Sequence, residues 1–155
     1  NKLGDQPWAM AFQLHLRSFS LSPCGTRIAA ITHQKFVVWD LTTCQVVAEQ
    51  SVRSIARIWD EDGKRLPRLK SVAFRQVSNL DTQLGEPHQR HPRRGDSIIL
   101  GWTSGTIMVY GECFLGSRVV FRLQRVIKAL HRSSVTALHL TLDNSFVIST
   151  STDDG

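Results

Sequence analysis

Residues 14–50 read LHLRSFSLSPCGTRIAAITHQKFVVWDLTTCQVVAEQ, and their punctuation decides the fold. Leu16, Phe19 and Leu21 precede Ser22-Pro23-Cys24-Gly25, a turn in which proline fixes φ and glycine tolerates a positive one. Ile28-Ala29-Ala30-Ile31 follows, then Phe36-Val37-Val38-Trp39 after a short polar break. Asp40-Leu41-Thr42-Thr43 makes another turn before Val46-Val47-Ala48. Four short apolar runs, rich in β-branched and aromatic residues and divided by turn formers, predict an antiparallel meander. Helices need longer periodic windows.

The pattern recurs along the chain. Val135-Thr136-Ala137-Leu138-His139-Leu140, Leu142-Asp143-Asn144 and Phe146-Val147-Ile148-Ser149-Thr150-Ser151 repeat the first half of the meander. A degenerate middle copy takes Leu69–Phe74, Ile98–Trp102 and Thr106–Tyr110 as its first three strands, with Tyr110 in the place of Trp39. Self-similarity at this period predicts an all-β repeat architecture.

These residues resemble the WD-repeat family. Phe36-Val37-Val38-Trp39-Asp40-Leu41 is similar to the third strand and Trp-Asp pair that names the repeat. Ser22-Pro23-Cys24-Gly25 resembles its Ser-Pro-Asp-Gly turn, with cysteine in the aspartate place. Leu130-His131 resembles the Gly-His start, and Ser149–Gly155 the Ser-Gly-Ser-x-Asp turn. The resemblance covers most of 14–49, 69–75, 97–111 and 131–155. It implies four-stranded β-propeller blades in which Trp39, Asp40 and Tyr110 hold structural positions. It also implies that His131 donates to Asp153, with Ser149 or Ser151 completing the network. The first copy departs from the family at His33-Gln34, and the middle copy at Ser104 and Gly111.

A blade takes roughly 40–45 residues and a ring at least four blades. The sequence supplies two diverged blades and half of a third, an incomplete ring, so the expectation is an excerpt of a longer propeller protein. The expected organisation is a lead-in over 1–13, a first blade over 14–50 and a connection over 51–68. A second blade follows over 69–123, with a polar surface loop inserted at 76–96. A further connection and the half blade fill 124–155. Arg118–Arg132 supports two readings. Cations at 118, 122, 125, 128 and 132 recur at helical spacings of three and four. Val119, Val120, Val126 and Ile127 instead favour a strand, the fourth of the middle blade.

The chain has 155 residues, with 19 Lys+Arg against 13 Asp+Glu. Ten of those cations lie between Arg53 and Arg94 against five acids, so the positive charge belongs to connecting segments. Cys24, Cys44 and Cys113 are odd in number and widely spaced. That excludes a disulfide framework and fits a reducing compartment, the cytoplasm. No apolar run of roughly 18 residues offers a membrane helix, and no leader sequence is visible at the start.

Catalytic readings find no support in the residues. No G-x-S-x-G elbow frames a serine, and no phosphate-binding glycine loop occurs. His88 and His91 make an H-x-x-H pair with no further ligand at a supporting spacing. No catalytic residue, cofactor or metal is therefore expected. The resemblance implies a scaffold for protein–protein interaction. Arg57, Trp59 and Arg65 in the 51–68 connection are the candidate contacts, since interface hot spots are enriched in Trp and Arg. The rival partners are nucleic acid or an anionic membrane, held by the Arg- and Lys-rich connections.

Overall fold

The computed structural model describes residues 16–32, 35–51, 67–75, 95–128 and 130–152. They form ten strands and no helix, so none offers a helix long and apolar enough to cross a membrane. β1 (Ser18–Leu21), β2 (Arg27–Ile31), β3 (Lys35–Asp40) and β4 (Gln45–Ser51) make one antiparallel sheet in chain order. β5 (Leu69–Arg75), β6 (Ser97–Trp102), β7 (Ile107–Leu115) and β8 (Arg118–Ile127) make a second in the same order. β9 (Val135–Leu140) and β10 (Val147–Ser151) pair as a third, two-stranded sheet. The all-β, blade-like fold expected from the sequence is present. Arg118–Ile127 is a strand rather than a helix, and it continues past the expected boundary at residue 123.

The sheets stack face to face. β1 packs on β5, β5 on β9, and β4 on β8, so first strands meet first strands and last meet last. Alternation along each strand sends one set of side chains forward to the next sheet and the other set back. Ala29, Ile31, Phe36 and Val38 project forward from the first sheet into a cluster with Val72, Phe74, Leu100, Met108 and Tyr110 of the second. Ala73, Ile99 and Ile107 project forward from the second sheet onto Val135 and Leu138 of β9. At roughly 1.5–3 kcal/mol for each fully buried large side chain, the first cluster dominates the stability of the stack. The result is an incomplete ring of blades.

Two serine hydroxyls join the first strands across the blades. Phe74 N donates to Ser20 Oγ of β1 at 3.0 Å, and Ser71 Oγ donates to Val135 O of β9 at 2.9 Å. Gly101 makes the second approach possible, because a Cβ there would lie 2.3 Å from Ser71 Oγ and 2.7 Å from Val135 Cγ1.

Candidate functional site

Turns gather at the two ends of the stack. At one end, Ser104-Gly105 joins β6 to β7 and abuts the start of the third blade. Gly105 takes φ +75° with His131 O directly beside it, so a side chain there meets both strain and backbone. Ser134 Oγ donates to Thr103 O at 3.4 Å, tying the same two blades. His131 Nε2 lies 2.8 Å from Ser149 Oγ. Ser133 Oγ sits 2.8 Å from Ser151 Oγ and 3.1 Å from Thr152 Oγ1. The structure thus brings His131 to Ser149 and gives Ser151 a different partner, Ser133. Asp153 lies outside the described residues.

Trp39 and Tyr110 occupy matching positions. Trp39 pairs with Ile28 and Tyr110 with Ile98, and both rings point back from their sheets. Tyr110 is fully buried against the first blade, its ring 5.3 Å from Phe36. Burial pushes its phenol up to about 12. Tyr110 OH and Trp102 Nε1 are buried without a hydrogen-bond partner among the described residues. Asp40 is a turn cap. Its Oδ1 accepts from Thr42 N at 2.8 Å, Thr43 N at 3.0 Å and the Thr42 hydroxyl. The Thr42 hydroxyl bond, then that of the Thr43 amide, hold its pKa below the ordinary value.

At the opposite end lies a cluster the sequence did not disclose. Arg27 Nη1 of β2 donates to Glu112 Oε1 of β7 at 2.9 Å and to Asp96 Oδ2 at 3.1 Å. Glu112 Oε2 accepts from Asp96 N at 3.0 Å, and Glu112 N donates to Asp96 O at 2.7 Å. The Glu112 side chain is 5% exposed and that of Asp96 14%. Burial alone lowers the Arg27 pKa, but the Glu112 bond and the carboxylate charges raise it overall. Burial, then the Glu112 charge, raise the Asp96 pKa against the pull of Arg27. One guanidinium serves two carboxylates, so the shorter bond, to Glu112, is the stronger half of the pair. Asp96 was expected within a surface loop; it is instead an anchor between blades, because Gly95 and Asp96 pack beside Glu112.

Arg57, Trp59 and Arg65 lie outside the described residues, as do His88 and His91. Among the described residues no three His, Cys, Asp or Glu side chains gather as metal ligands. Cys24, Cys44 and Cys113 form no disulfide; Cys24 and Cys44 are exposed and Cys113 is half-buried.

No family model matches the chain, and no curated protein sequence does. Solved structures do. The WD40 domain of SCAP from fission yeast superposes at a TM-score of 0.49 and 12% identity over 77% of this chain and 23% of its own. Sqt1 from Chaetomium thermophilum gives 0.46 at 12% identity, over 80% of this chain and 26% of its own. Raptor from Chaetomium thermophilum gives 0.44 at 12% identity, over 88% and 14%. The chain therefore spans about a quarter or less of the structures it is similar to. At such identity and overlap, the fold rests on the strand registers and sheet packing themselves.

Proposed function

We propose that this chain is a WD-repeat-like scaffold for protein–protein interaction, cytoplasmic and without chemistry of its own. One observation carries the reading: blades stacked through a continuous apolar core, with their turns gathered at the two ends. A rigid stack of this kind lets turns vary without disturbing strands. The 51–68 connection leads from β4 to β5, and the Ser104-Gly105 turn lies beside the next such connection at His131. Arg57, Trp59 and Arg65 are the proposed contacts, combining a large ring with planar cations. The second inserted segment is long and polar, and ordering such a segment opposes binding.

The test is capture of binding proteins from the cell of origin on immobilised chain. Arg57→Ala with Arg65→Ala should weaken capture without lowering the melting temperature. Deletion of 77–94 should spare it; the deletion stops there because Asp96 anchors Arg27. Capture lost on that deletion alone would reverse the assignment of surfaces. A salt series separates the rival partner, since counterion release from nucleic acid makes affinity fall steeply with salt.

A further inference from the structure

The cluster at the junction of the first two blades sets two carboxylates on one cation. Both reach the same guanidinium nitrogen, Arg27 Nη1, Glu112 at 2.9 Å and Asp96 at 3.1 Å. Two anions that touch one nitrogen are themselves neighbours, and a single positive charge cannot satisfy both. Asp40 stands directly opposite Arg27 in the register of β2 and β3, and its charge also acts on that guanidinium. Among the described residues, then, Asp96 faces Arg27 of β2, with Asp40 of β3 beyond it, and Glu112 of β7. Both sheets that meet here have all four strands described.

The bonding decides which carboxylate yields its charge. Glu112 has both oxygens engaged, Oε1 with Arg27 and Oε2 with the Asp96 amide at 3.0 Å. The Asp96 carboxylate accepts from Arg27 alone among the described residues. Its side chain is also the more exposed, 14% against 5%. Asp96 therefore has the weaker hold on its charge and the readier access to water. Its place in the fold does not depend on that charge. Asp96 N donates to Glu112 Oε2, and Asp96 O accepts from Glu112 N at 2.7 Å, whichever state the carboxyl is in.

We propose that Asp96 is a proton-operated latch on the junction between the first two blades. Ionised, it competes with Glu112 for Arg27. Protonated, it gives up that competition, and Arg27 serves Glu112 as a one-to-one pair. Acid thus tightens this junction. It does the opposite at Asp40 and Asp143, whose carboxylates hold their turns only while charged. Burial and the Glu112 charge raise the Asp96 pKa over the pull of Arg27, in the same sense. A carboxyl whose folded pKa lies above its unfolded one destabilises the fold while ionised. That penalty is relieved as pH falls through the folded value and is gone below the unfolded one, about 3.9. The latch lies at the end of the stack away from the proposed contacts and needs nothing from the scaffold reading.

The test is a carbon-13 NMR titration of the side-chain carboxyls in the full chain, beside urea denaturation of Asp96→Asn over the same pH range. The Asp96 carboxyl should titrate above the ordinary aspartate value of about 3.9, with Asp40 below it and Asp143 at about 2. Asp96→Asn, a neutral mimic of the protonated state, should be at least as stable as the unmutated chain at pH 7. Its standing against that chain should fall as the pH is lowered. Glu112→Gln, which removes the competing charge, should move the Asp96 midpoint down, and Arg27→Gln should move it up. The titration of the unmutated chain decides the matter even where a variant fails to fold. An Asp96 midpoint at or below the ordinary value, or a raised midpoint on Glu112 in its place, would overturn the latch. So would an Asp96→Asn chain whose deficit at pH 7 closes on acidification, since that marks a carboxylate the fold holds charged.

Discussion

The first two blades diverge at one matched position. Asp40 in β3 opposes Gln45, and its counterpart Gly111 in β7 opposes Arg122. Asp40 closes its strand by accepting from the two following threonines, and the chain turns through Cys44 at φ 56°. Gly111 has no side chain with which to cap, and the Gln124 amide lies over it where a Cβ would stand. β7 therefore runs on to Leu115 and turns at Gly116, φ +63°, in a two-residue hairpin loop. The extension carries Glu112, which reaches Arg27 of the first blade. A missing cap thus becomes a link between blades. The same change lengthens the outer edge on which Arg118 and Arg122 stand.

The sharpest way to break this comparison is to remove the link. Glu112→Ala leaves Arg27 without its shorter bond and Asp96 N without its side-chain acceptor. A loss of about 1–3 kcal/mol in urea denaturation is expected, since a charge-assisted bond and the acceptor of a backbone N–H go while Arg27 keeps Asp96. A cost no larger than that of Asp40→Ala would mean that the extension adds length alone.

Asp40→Ala should act locally, speeding amide exchange at Thr42 and Thr43 and lowering the melting temperature less than Glu112→Ala. Its pH dependence has a defined sign. A carboxyl held below its unfolded pKa stabilises the fold above that value and ceases to as pH falls through the folded one. The difference between Asp40→Ala and the unmutated chain should be full above about pH 4 and shrink in stronger acid. A difference that grows on acidification would assign the cap to some other group.

The smallest effect belongs to the turns between first and second strands. In the third blade Asp143 Oδ1 accepts from Ser145 N at 3.1 Å and from the Thr141 hydroxyl. Those bonds, the hydroxyl first, lower its pKa to about 2. In the first blade Cys24 holds the matching place, its thiol 2.8 Å from Thr26 Oγ1 and 3.4 Å from Ser22 Oγ. Cys24→Asp should raise the melting temperature slightly, because a carboxylate accepts more strongly than a thiol from the turn's backbone, as Asp143 does from Ser145 N. An unchanged or lower value would show that Gly25 and Pro23 already fix that turn.

The strands of each blade were legible because local pattern determines them. Phe36–Trp39 and Ile98–Trp102 are apolar runs bounded by turn formers, and they became β3 and β6. Arg118–Arg132 stayed divided between strand and helix for a physical reason. The bulge at Gln124 gives a strand cations at spacings of four and three on one face, which is what a helix of 3.6 residues per turn also produces. The Arg27 cluster left no local trace, since its partners stand 69 and 85 residues along the chain. Asp96, at the end of a polar stretch, has the composition of a loop and the surroundings of an interface. The resemblance implied His131 on Asp153 with Ser149 or Ser151 completing the network; among the described residues His131 lies beside Ser149, and Ser151 beside Ser133.

Val72 and Phe74 are 4% and 1% exposed where the second blade meets the first. That contact contains Tyr110, and the chain has one tyrosine. A phenol pushed up to about 12 by that contact returns to near 10 once water reaches it. The tyrosinate absorption of the whole chain in alkali is therefore a built-in optical gauge of a single junction, read without label or mutation.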